Sequence, residues 1–161
     1  MGKTTFLQRQ AARLRAGGRS IGGIAAPTLF ERDRRVGYDL VDLHTGSRQP
    51  LARLADSNYA RPAVGDYVFD PAAIALGNTT IISAVRNGLD VVAIDEVGPL
   101  EFRGEGWAPA LRQSLRDLRP EQELIVVVRP TLVDELSRRF PSPIWAAAIC
   151  VSPPWPESLW T

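Results

Sequence analysis

The sequence predicts an α/β protein built on a mostly parallel sheet, and three observations carry that prediction. From Val64 onward, apolar periodicity reads strand, helix, strand, helix, strand, helix, strand, the order that builds parallel sheets with right-handed crossovers. Two of these strands, Val91–Ile94 and Leu124–Val128, are continuous β-branched runs, as expected of strands covered on both faces. The segment 20–63 instead carries short, partly alternating runs between charged or Gly-containing turns, which reads as an antiparallel β insertion. At 161 residues the expectation is a single domain, 1–161, with an irregular tail over 152–161.

Lys3 to Ala16 reads as a helix, because it lacks Pro and Gly and spaces Phe6, Leu7, Ala11 and Leu14 along one face. Gly17-Gly18 ends it. Ser20 to Ala26 reads as a strand whose Gly22-Gly23 marks a bulge or a close backbone approach. After the charged turn 31–35, Val36–Leu43 and Gln49–Leu54 read as strands joined through a turn at His44-Thr45-Gly46. The polar run 55–63 reads as a loop of the kind that covers substrate sites. Arg35, Tyr38, Tyr59 and Arg61 are its candidate contacts, with a surface or packing role as the alternative for each.

Val64–Asp70 reads as one strand. Asp70-Pro71 then opens a helix that can break at Gly77-Asn78. Residues 103–107 read as a Gly-rich turn, and Ala108–Leu118 as a helix stopped by Pro120. Thr131 reads as the cap of a helix to Arg139. Ile144–Val151 reads as a last strand, which places Cys150 in the core.

Composition narrows the function. No run approaches the eighteen apolar residues of a membrane-spanning helix. One Cys and one His exclude a disulfide framework and a structural zinc site, and fit a reducing cytoplasm. A net charge of +1 argues against a dedicated nucleic-acid binder. The charge is uneven: residues 1–61 hold 11 Lys/Arg against 5 Asp/Glu, and residues 62–161 hold 8 against 13. That suits an anionic, metal-bound ligand lying between the halves, although Arg9, Arg13 and Arg15 solvating one helix face give the same imbalance.

Two motifs carry chemistry. Val91–Ile94 ends in Asp95-Glu96, two carboxylates at the C-terminal end of a buried strand, where open α/β sheets bind ligands. This is the Walker B pattern, in which the Asp holds Mg²⁺ and the Glu polarises an attacking water; a solvated acidic turn is the alternative. Gly2-Lys3-Thr4-Thr5 matches the end of the phosphate-binding loop G-x-x-x-x-G-K-[ST]. There, backbone N–H groups and the helix N-terminus cradle phosphate oxygens, Lys3 reaches the phosphates and the Thr4 hydroxyl reaches Mg²⁺. Lys3 is the only lysine beside 18 arginines, at a position where a compact ammonium suits phosphate better than a planar fork. An ordinary helix start is the alternative. Only the end of the loop precedes the helix. Either translation starts here, or roughly ten to fifteen further residues, an apolar strand and Gly-x-x-x, stand before Met1. The second is the expectation, with that strand lying beside the Asp95 strand.

Taken together, these residues resemble the THEP-type nucleoside-triphosphatases. The resemblance runs over about residues 2–151, through Gly2–Thr5, Gly22-Gly23-Ile24, Arg35–Leu43 with Thr45-Gly46, Val64–Tyr67, and above all Ile94-Asp95-Glu96-Val97-Gly98-Pro99-Leu100-Glu101. It implies a RecA-like P-loop NTPase fold with helices on both faces of the sheet, and hydrolysis of nucleoside triphosphates such as ATP and GTP with Mg²⁺. It also implies phosphate binding by Gly2, Lys3, Thr4 and Thr5, a metal site at Thr4 and Asp95, and water activation at Glu96. Glu101 belongs to the same block without an assigned role. Arg35, Arg103 and Arg129 are candidates for stabilising the transition state. Two other functions use the same residues: a small-molecule kinase whose acceptor lies against the insertion, and a nucleotide-binding switch without turnover. No feature specifies base preference or oligomeric state.

Overall fold

The computed structural model describes residues 2–55 and 63–159. Tyr59 and Arg61 fall outside them. One sheet organises the chain. Its strands are β1 (Ile21–Ala25), β2 (Thr28–Glu31), β3 (Arg34–Asp42), β4 (Arg48–Leu54), β5 (Ala63–Val64), β6 (Tyr67–Phe69), β7 (Val91–Val97) and β8 (Glu123–Val128). They lie in the order β5-β6-β4-β3-β1-β7-β8, with β2 against β3. The core strands β1, β7 and β8 are parallel, and the insertion continues the sheet antiparallel from β1 outward. Arg32 and Asp33 both take positive φ, 46° and 63°, in the two-residue turn joining β2 to β3.

Helices cover both faces. Helix α1 (Lys3–Ala16) spans the predicted residues. Its Leu7, Ala11 and Leu14 pack on Ile21, Val91 and Ala93. On the other face lie α2 (Pro71–Arg86), α4 (Ala108–Asp117) and α5 (Val133–Arg139). Here Ile81, Leu111 and Leu136 pack with Ile24, Val92 and Ile94. Side chains alternate along a strand, so β1 and β7 feed both layers and must be apolar throughout. Each Ile or Leu fully buried in this way contributes roughly 1.5–3 kcal/mol.

Gly22-Gly23 is the close approach that the sequence indicated. A Cβ on Gly22 would stand 2.8 Å from that of Ala84 in α2. On Gly23, whose φ is +88°, it would stand 2.0 Å from the Ala93 carbonyl oxygen. Both neighbours therefore lie close against β1.

Several local expectations are corrected. Val64–Asp70 is not one strand, because Gly65-Asp66 folds it into the β5–β6 hairpin. Helix α2 runs unbroken through Gly77-Asn78: the Asn78 amide bonds the Ile74 and Gly106 carbonyls, and Gly77 gives room to Trp107. Thr131 caps nothing; it lies in a 3-10 turn, Pro130–Leu132, that leads into α5. Ile144–Val151 is not a strand, since no neighbouring strand among the described residues pairs with it. Pro143–Ala147 form a 3-10 turn capped by Ser142, and Ile149 is 88% exposed. Cys150 is accordingly exposed rather than in the core. Among the described residues β7 has a partner on each side, β1 and β8, so the Asp95 strand has no free edge for the further strand expected beside it.

Candidate active site

Strand β7 delivers two carboxylates to opposite faces of the sheet. Its register against β8 shifts between Ile94 and Val97, where two residues oppose one, and Glu96 takes φ +60°. Such a bulge re-aims side chains, and a non-glycine residue with positive φ carries strain that the surrounding structure must hold. Asp95 points to the α1 side and Glu96 into a cleft on the α2–α4 side.

Asp95 is fully buried. Its Oδ2 accepts the Ala26 N–H at 3.0 Å and its Oδ1 the Glu96 N–H at 3.0 Å. The Thr4 side chain lies beside the same carboxylate and favours its charged form. Burial raises its pKa to about 6, the Ala26 N–H and the Thr4 side chain oppose that rise, and the neighbouring Glu96 charge adds to it. Thus the start of α1 and the end of β7, 91 residues apart in the chain, meet where the Thr4 side chain lies beside the Asp95 carboxylate. Gly2 caps α1 through its backbone, Lys3 is half-buried in the first turn, and Thr5 is exposed. The first backbone N–H groups of α1 have no intrahelical partner and point out of its end.

Among the described residues, no group of three or more His, Cys, Asp or Glu side chains is placed to hold a metal. A hydroxyl and one carboxylate nevertheless fit Mg²⁺, which keeps several waters and takes its other oxygens from phosphates. The same pair would not make a cage for calcium or zinc.

Glu101 lies in a short helix, α3 (Pro99–Phe102), and is 2% exposed. Its Oε2 accepts the Gly98 N–H at 2.8 Å and its Oε1 the Trp107 N–H at 2.9 Å. Burial pushes its carboxyl above the ordinary range, against these two bonds. Glu101 therefore ties together the two ends of the segment that follows Glu96.

The cleft has a cavity volume of about 100 Å³ and opens to solvent. Tyr38, Leu51, Tyr67 and Phe69 of the insertion form one wall, and Ile74 and Trp107 another. Glu96 and Arg129 supply charge. Of the candidate arginines, Arg129 shares the cleft with Glu96, Arg35 lies over the Tyr38 ring at 5.9 Å, and Arg103 pairs with Glu105 at 3.6 Å.

A family model described as NTPase matches residues 1–145. Nucleoside-triphosphatase THEP1 of Methanopyrus kandleri is 34% identical over 160 residues, covering 86% of this chain and 87% of that protein. The THEP1 protein of Pyrococcus abyssi is 33% identical over 134 residues, covering 83% and 72%. A solution structure of a human cancer-related nucleoside triphosphatase superposes with a TM-score of 0.61 at 26% identity, over 88% of this chain and 80% of that one. The chain belongs to the NTPase family. The fold of this NTPase is that of the human structural neighbour, with the curled, mixed sheet described above.

Sequence reasoning placed Thr4 and Asp95 in one site, and the structure brings them side by side. It did not find the Ala26 N–H, the bridging role of Glu101, or the cleft of this NTPase. Backbone donors leave no mark in a sequence. Glu101 had a signal, a single acid three residues after Gly98 where a helix starts, which is the position of a capping acid.

Proposed function

We propose that this NTPase hydrolyses the β–γ bond of nucleoside triphosphates, ATP and GTP among them, with Mg²⁺, in the cytoplasm. The observation that supports this most is the nearness of the Thr4 side chain to the buried Asp95 carboxylate. A strand-end carboxylate beside a hydroxyl in the first turn of a helix is a ready site for a phosphate-bound cation.

In this reading Gly2, Lys3, Thr4 and Thr5 bind the phosphates, through the N–H groups at the start of α1 and the Lys3 ammonium. Thr4 and Asp95 would hold Mg²⁺, which supplies charge neutralisation on the β and γ oxygens when bound. Glu96 orients a water on the cleft side and accepts its proton. The water oxygen bonds to the γ phosphorus as the bridging P–O bond breaks, and the bridging oxygen leaves with the electron pair on the nucleoside diphosphate. Proton transfer of this kind contributes about 10²–10⁴-fold. Lys3 offsets the charge on the leaving phosphate.

The test is free phosphate released from MgATP and MgGTP by this chain and by its Glu96→Ala variant. The expected result is release that the substitution lowers by at least about a hundredfold. Equal release by both chains would remove Glu96 from the chemistry. Nucleotide binding without release would favour the switch, and phosphate carried to a second substrate would favour the kinase.

A further inference from the structure

Beyond the water that Glu96 orients, the cleft is not needed for a triphosphate. Neither Lys3 nor Thr4 lines it, and it opens on the face of the sheet opposite α1. Its walls are aromatic to a degree that phosphate chemistry does not explain. Tyr38 and Tyr67 meet edge to face, with centroids 5.3 Å apart at 71°, and Phe69 and Trp107 complete the enclosure. Both oxygens of the acid in its wall, Glu101, already accept a backbone N–H, from Gly98 and Trp107. Besides Glu101, whose carboxyl is engaged in this way, the charged side chains lining it are one carboxylate, Glu96, and one guanidinium, Arg129, so the charge that faces a ligand is balanced.

We infer that this cleft is a second ligand site, which takes an uncharged fused-ring aromatic molecule carrying one hydrogen-bond donor directed at Glu96. Apolar aromatic walls with a few convergent polar groups are the usual make-up of a small-molecule site. Aromatic rings gain most where they can stack or meet edge to face. The donor requirement follows from Glu96, a carboxylate that accepts only. An occupant would also displace water from the cleft side of Glu96, so binding here lowers nucleotide hydrolysis. That consequence rests on the function proposed above; the binding itself does not.

The probe is 5-fluoroindole, which is neutral, bicyclic and has one N–H, followed by fluorine NMR. Titration into the wild-type chain should give a saturable shift. Tyr67→Ala, which opens the cleft, and Ile74→Trp, which fills it, should each weaken that binding at least fivefold. Circular dichroism reports whether each variant is folded. Lys3→Ala should abolish phosphate release and leave 5-fluoroindole binding unchanged, so failure of the nucleotide reading and failure of this one are seen separately. The inference is overturned by the absence of saturable binding at the solubility limit, by binding that both cleft variants leave unaltered, or by binding lost in Lys3→Ala.

Discussion

Ala26 donates its backbone N–H to the buried Asp95 carboxylate at 3.0 Å, joining the end of β1 to the end of β7. With Thr4 beside the same carboxylate, three elements converge on one ionisable group. Burial lifts that group's pKa from 3.8 to about 6, so the folded state holds its proton more tightly than the unfolded chain does. The resulting stabilisation is fully present below about pH 4 and is lost as pH rises through about 6. Its size is on the order of 3 kcal/mol. Urea unfolding between pH 4 and 7.5 should show wild-type stability falling across that window. Asp95→Asn should lose this component and keep whatever slope Glu101 contributes. An identical slope in the variant would mean that Asp95 titrates normally.

Glu101→Gln tests the bridge between Gly98 and Trp107. A glutamine offers one acceptor oxygen where the carboxylate offers two, and its amide group would face a backbone donor. One buried N–H is left unsatisfied, at a cost of about 1–3 kcal/mol. For a chain of this size that lowers the melting temperature by roughly 2–12 °C. Because the bridged segment directly follows Glu96, kcat should fall while KM for the nucleotide stays within about twofold. A melting shift with unchanged kcat would make Glu101 a purely structural residue.

Two strands of the parallel core were legible because their signals are local and redundant; the third, Ile21–Ala25, was read as part of the antiparallel insertion but pairs parallel with β7. Val91–Ile94 is buried as its composition indicates, and α1 has an uninterrupted apolar stripe between two glycines, whereas Leu124–Val128, read the same way, is a strand but a half-buried one at the edge of the core. That Thr4 and Asp95 lie together was legible for a different reason, since the two motifs they close were read as serving one ligand. The failures share a cause. Val64–Asp70 and Ile144–Val151 both have strand-like composition, but a strand exists only beside a partner, and partners are set by tertiary structure. Gly65 turns the first into a hairpin, and the second has no neighbour among the described residues. The cleft was not legible as a whole because its walls come from Tyr38, Tyr67 and Trp107, which are distant in the chain; of these only Tyr38 was singled out as a candidate contact.

Gly77→Ala separates helix propensity from packing. Alanine is favoured in a helix interior by about 1 kcal/mol. Here its Cβ would stand 2.3 Å from the Trp107 ring, whose residue is 4% exposed and cannot swing away. Overpacking of that kind costs about 1–3 kcal/mol, so the net effect is destabilising. Gly77→Ala should therefore melt below wild type, and Trp107→Phe in the same chain should recover part of the loss. A higher melting temperature for Gly77→Ala alone would show that α2 and α4 separate easily.

Trp155 stacks on Phe6 with centroids 4.7 Å apart and planes at 17°, fixing the tail against α1. Gln10, fully buried on the same helix, bonds the tail twice, donating to the Glu157 carbonyl at 3.2 Å and accepting the Leu159 N–H at 3.3 Å. The tail thus covers the helix whose first turn carries Lys3 and Thr4. Trp155→Ala removes the stacked pair, worth about 0.5–1.5 kcal/mol, together with the area that the ring buries. Amide exchange in α1 should accelerate at least tenfold, and KM for MgATP should rise as the phosphate-binding turn loosens. Trp155→Phe retains a ring on Phe6 and should restore most of the protection. Unchanged exchange in α1 after Trp155→Ala would show that the tail rests on the helix without holding it.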